Sequence, residues 1–63
     1  MRLAIKKILI VDDSRAMQTI VRRGIQAMGY SEIETRQASD GHEALNICRT
    51  WEPELVQIGR AHV

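Results

Sequence analysis

An α/β fold built on a parallel sheet is what this sequence predicts, and three observations carry the prediction. A continuous apolar run, Lys7-Ile8-Leu9-Ile10-Val11, stands near the start. Past it the hydrophobic period changes from that of a strand to that of a helix and back again, twice. Helix-ending and turn-forming residues, Gly29, Asp40-Gly41 and Pro53, stand where the changes occur.

The first run is rich in β-branched residues and stops at Asp12-Asp13-Ser14. A run of this length with no polar alternation predicts a strand covered on both faces, hence a central one. Met17, Ile20, Val21, Gly24 and Met28 then recur at three- and four-residue steps, whereas Arg15, Gln18, Arg22, Arg23 and Gln26 fall elsewhere. This spacing predicts an amphipathic helix of about four turns. Asp13 or Ser14 caps its start, and Gly29 ends it in a left-handed conformation.

Glu32 to Gln37 reads as a second strand on the preferences of Ile33 and Thr35, with Ala38-Ser39-Asp40-Gly41 as the loop after it. A second helix runs from about His42 to Thr50, with Ala44, Leu45, Ile47, Cys48 and Trp51 on or near one face. Proline disfavours helical geometry in the residue before it, so Glu52 is expected to be extended and to lead through Pro53 into a third strand, Leu55-Val56-Gln57-Ile58. The order βαβαβ is the building unit of doubly wound parallel sheets. Residues 59–63 continue no pattern and read as a tail, leaving 1–58 as one domain.

A chain of 63 residues buries only about 60% of the surface its unfolded form exposes, so its core is marginal. Cys48 has no second cysteine to pair with, which fits a reducing, cytoplasmic setting. No secretory signal or membrane-spanning run stands out. The formal charge is +1 and the aromatic content is Tyr30 and Trp51 alone, which argues against nucleic acid and anionic membranes as partners. The chain offers no nucleophile–base pair and no phosphate-cradling glycine loop, so it is not expected to be an enzyme.

Asp12-Asp13 is the sharpest chemical feature. In parallel α/β sheets ligands bind at the carboxyl edge, and these neighbouring acids stand where the first strand emerges. Hard cations such as Mg²⁺ take carboxylate oxygen, commonly from one or two side chains. The plainer reading is a strand end followed by a helix cap. Other residues fit structural roles better: Cys48 as a small core residue, Arg22 and Arg23 as a solvated helix face, His42 and His62 as exposed side chains, and Asp40-Gly41 as a turn and helix start.

Lys7 to Ser14, Ala38-Ser39-Asp40-Gly41-His42-Glu43-Ala44-Leu45 and Trp51-Glu52-Pro53-Glu54-Leu55-Val56 together resemble the receiver domains of two-component response regulators, in that family's order and spacing. The resemblance runs from about residue 5 to residue 58 and covers the amino-terminal half of such a domain. It implies half of a flavodoxin-like sheet with strand order 2-1-3. It also implies a phosphorelay role with a sensor histidine kinase as phosphate donor, and a Mg²⁺ site in which Asp12 and Asp13 match the family's acidic pair, Asp13 being the preferred direct ligand. The family's phosphoacceptor aspartate ends the third strand, and aligning Pro53 to Ile58 puts Gly59 in its place. The resemblance therefore implies no phosphoacceptor and an incomplete, weak Mg²⁺ site. The hydroxyl residue and lysine of the family's later strands would fall after Val63.

A half-sheet leaves the outer edge of its third strand unpaired, and a bare edge is a template for another chain. Self-association as a homodimer is the expected completion. The second functional reading is accordingly a self-associating structural module, natural or engineered, without phosphotransfer.

Overall fold

In a computed structural model the chain forms five elements, and the structure describes residues 5–29 and 32–59. They are β1 (Lys7–Val11), α1 (Arg15–Ala27), β2 (Glu34–Ala38), α2 (Gly41–Trp51) and β3 (Leu55–Ile58). The strands make one parallel sheet in the order β2-β1-β3. The expected fold class and strand order hold. Among the described residues no helix is long and apolar enough to cross a membrane.

β1 is central because its side chains are apolar on both faces. Leu9 and Ile10 are completely enclosed, and Ile8 and Val11 are buried. Each such side chain contributes roughly 1.5–3 kcal/mol relative to exposure. Alternation along the strand sends Leu9 and Val11 to one face, where they pack with Ala38 and Trp51 against Ala44, Ile47 and Cys48 of α2. Ile8 faces the opposite side, toward Val21, Gly24 and Ile25 of α1.

Trp51 closes the α2 side. Lys7 Nζ lies 5.5 Å from its ring centroid and the Arg36 guanidinium 4.8 Å, and such contacts add roughly 0.5–1 kcal/mol each. Lys7 Nζ also donates to the Trp51 carbonyl at 3.1 Å, supplying a cation where the helix presents its partial negative end.

Several boundaries and faces depart from the sequence reading. β2 starts at Glu34, whose N–H donates to the Lys6 carbonyl at 2.8 Å, and it includes Ala38, whose carbonyl accepts from Asp12 N at 3.0 Å. The strand extends because pairing with β1 continues to Asp12, and the small Ala38 side chain fits beneath α2. α2 begins at Gly41 and runs through Trp51.

α1 turns a different face inward. Gln18, assigned to the polar side, is 3% exposed, whereas Ile20 is 58% exposed. Gln18, Val21 and Ile25 share the three- and four-residue spacing as well as the apolar set does, and a hydrogen-bonding role decides between the two faces. Arg22 is half-buried and its Nε is enclosed, so it is not part of a solvated face.

Glu52 is left-handed, at φ 53 and ψ 66, not extended. It terminates α2 by donating its N–H to the Cys48 carbonyl at 3.2 Å, a position that usually takes glycine. Gly29, as expected, has a left-handed φ of 87.

Candidate functional site

The carboxyl rim of the sheet carries the candidate residues. Asp12 follows the last residue of β1 and is 5% exposed, while Asp13 beside it is exposed. Asp12 Oδ1 accepts from the Ser14 N–H at 2.9 Å. Ser14 is the N-cap of α1, its Oγ accepting from Met17 N at 3.3 Å. Of the two cap candidates, Ser14 therefore caps and Asp12 holds the cap's own amide. Asp13 follows Asp12 in sequence and is exposed.

Gln18 fixes the geometry from below. Its Nε2 donates to the carbonyls of Asp12 at 2.7 Å and Ala38 at 3.1 Å, and reaches Ser39 Oγ at 3.5 Å. One buried amide thus ties the ends of β1 and β2 to the first turns of α1. An enclosed carbonyl without a donor costs about 1–3 kcal/mol, so the contact is consequential. Sequence reasoning missed Gln18 because an apolar-periodicity search counts glutamine as outward. Its spacing of three and seven residues from Val21 and Ile25 was the available signal.

The end of β3 completes the rim. Gly59 N donates to the Val11 carbonyl at 2.9 Å, bringing residue 59 alongside Asp12. A Cβ built on Gly59 would lie 3.2 Å from Asp12 Cγ and closer still to Asp12 Oδ2. The buried carboxylate occupies the space in which a side chain at 59 would begin. Asp12 and position 59 are therefore neighbours at the rim, with Asp13 next to Asp12 in sequence.

The other candidates stand apart. His42 is exposed at the start of α2, and Asp40 caps that helix, its Oδ1 accepting from Glu43 N at 2.8 Å. Cys48 is half-buried against the core. His62, with the rest of the tail after Gly59, lies outside the described residues. Among the described residues no group of three or more His, Cys, Asp or Glu gathers in a way that could hold a metal. Two acids with one carboxylate already bonded to a backbone amide make a poor fit to a complete Mg²⁺ cage.

Comparison with known proteins adds two relatives. The alkaline phosphatase synthesis transcriptional regulatory protein PhoP of Bacillus subtilis (strain 168) is 41% identical over 51 residues, which is 81% of this chain and 20% of that protein. Protein-glutamate methylesterase/protein-glutamine glutaminase 3 of Vibrio cholerae serotype O1 (strain ATCC 39315 / El Tor Inaba N16961) is 36% identical over 52 residues, 82% of this chain and 14% of that protein. The chain thus spans a fifth or less of the curated relatives it matches. No family model matches it, and no solved structure matches it significantly.

Proposed function

From a chain that matches the amino-terminal half of a response-regulator receiver domain in sequence and in strand order, we propose a role in phosphorelay signalling by descent, in which the chain itself accepts no phosphoryl group. The observation that carries this reading is Gly59, seated beside Asp12 at the end of β3. A backbone without a side chain offers no nucleophile there. The chain has no catalytic activity of its own in this reading. A cytoplasmic location goes with it, as does a sensor histidine kinase as the partner class, while nucleic acid and membrane have no part.

Mg²⁺ binds weakly, through Asp12 and Asp13. Asp13, exposed at the rim, is the direct ligand, and Asp12 contributes only if its carboxylate leaves the Ser14 amide and the space beside Gly59. Bound Mg²⁺ would supply charge neutralisation between the two acids.

The test is incubation of the 63-residue chain with Mg²⁺ and acetyl phosphate, followed by intact-mass measurement. An unchanged mass is expected. A covalent phosphoryl adduct would contradict the proposal.

A second reading has its own support. All four residues of β3 are exposed, and a largely apolar cleft of about 560 Å³, lined by Ile8, Val21, Ile25, Met28, Ile33 and Leu55 among others, opens between α1 and β3. Contiguous apolar surface of this kind favours association, so the chain by itself forms a homodimer through the β3 side. Light scattering over a dilution series tests this, and a folded monomer at every concentration would contradict it.

A further inference from the structure

We propose that the outer edge of β2 binds an extended acidic peptide as an added strand. Among the described residues β2 is bonded to β1 on one side only. Glu34 donates to Lys6 and Ala38 accepts from Asp12. In a parallel ladder a paired residue directs both its N–H and its C=O to the same neighbour, so residues 34, 36 and 38 serve β1. Thr35 and Gln37 between them turn their peptide groups outward. Thr35, Arg36 and Gln37 line a cleft of about 450 Å³ along that edge, together with Arg22 from α1 and Ile47 from α2.

Arg22 supplies the charge. Its Nε is enclosed and makes no hydrogen bond to any described residue, and an enclosed guanidinium donor without a partner is costly enough to require an explanation. A carboxylate in the cleft draws the Arg22 side chain outward and gives that donor a charge-assisted bond. Arg36, stacked on Trp51 on the opposite face, adds positive potential to the same edge. Ile47 offers an apolar contact on the α2 side. In the adjoining polar cleft Arg15 and Glu43 offset each other. Exposed Glu34 repels an acid at the start of the strand, which sets the peptide's carboxylate toward Gln37.

These three chemistries select one occupant. The outward peptide groups call for an extended backbone, Arg22 for an acid on one face, and Ile47 for an apolar residue on the other. Alternation along a strand delivers the last two together. A second copy of β2 is disfavoured, because antiparallel pairing about the strand centre sets Arg36 against Arg36.

The probe is a fluorescently labelled, amide-capped hexapeptide alternating Glu with Val, compared with a Lys-for-Glu version and a version N-methylated on alternate amides. Polarisation on the 63-residue chain is expected to show the Glu peptide binding at least about tenfold tighter than either control. Arg22→Met, which keeps the aliphatic stem and removes the unpaired donor, is expected to fold and to abolish the preference. Amide chemical shifts in the unsubstituted chain give a readout independent of that variant. Changes are expected at Thr35 and Gln37. No binding, equal binding of the Lys peptide, indifference to N-methylation, a preference that survives in folded Arg22→Met, or shifts confined to β3 would each overturn the proposal.

Discussion

The carboxylate of Asp12 and the Cα of Gly59 share one small space: the side chain of Asp12 lies where a Cβ at 59 would be placed. Asp12 is enclosed there, with its other oxygen held by the Ser14 amide. The glycine at 59 and the inward seat of Asp12 are therefore one structural fact. Any residue at 59 other than glycine obliges Asp12 to move.

That coupling is measurable. Gly59→Ala forces Asp12 to swing away and give up the Ser14 N–H, at a cost of about 1 kcal/mol. In an Asp12→Ala background the same methyl meets no carboxylate, and the cost falls below about 0.5 kcal/mol. Urea denaturation of the four chains of this cycle gives the comparison. Equal costs in both backgrounds would remove the coupling.

Gln18→Leu keeps the volume and removes the donor that the Asp12 carbonyl accepts from at 2.7 Å. The Ala38 carbonyl retains its bond from Asp12 N, so the loss is concentrated on one group. A destabilisation of about 1–3 kcal/mol is expected from the loss of that buried bond. Denaturant melts measure it, and a stabilised Leu variant would show that the clamp is dispensable.

Trp51 is both core and reporter. Trp51→Ala removes the side chain on which Leu9, Val11 and Ala38 close, a loss of about 3–5 kcal/mol, comparable with the whole stability of a small domain. Loss of the helical circular-dichroism signal at room temperature is the expected outcome. Arg36→Ala, which removes only the stacked cation, is expected to cost about 0.5–1 kcal/mol and to change Trp51 fluorescence in the folded state.

Glu52 carries a left-handed backbone at φ 53, a conformation costing a non-glycine residue about 1–2 kcal/mol. Glu52→Gly relieves it, and glycine's larger unfolded-state entropy takes back part of the gain. A net stabilisation of up to about 1 kcal/mol is expected in thermal melts. A lowered melting temperature would mean that the Glu52 side chain contributes more than its backbone loses.

Much of this arrangement could be read from residue order. β1 was evident because an uninterrupted apolar run is covered on both faces, and the caps at Ser14 and Asp40 follow from short oxygen-bearing side chains before helical spacing. The approach of Asp12 and position 59 was implied by the family resemblance, which set Gly59 at the end of the third strand. What escaped was decided by polar contacts between distant residues. Gln18 faces inward although periodicity sends it out. Ala38 joins β2 because Asp12 N pairs with it. At Glu52 helix termination prevails over the extended preference before proline.

The central claim is that the ends of β1 and β3 lie side by side, with the Asp12 side chain filling the place of a residue-59 side chain. The most direct measurement is the nuclear Overhauser contact between the Gly59 α protons and the Asp12 β protons in the isotopically labelled chain. A strong cross-peak, accompanied by contacts between Leu9 and Val56 in parallel register, is the predicted result. Gly59 contacting another segment instead, with no contact to Asp12, would contradict the account.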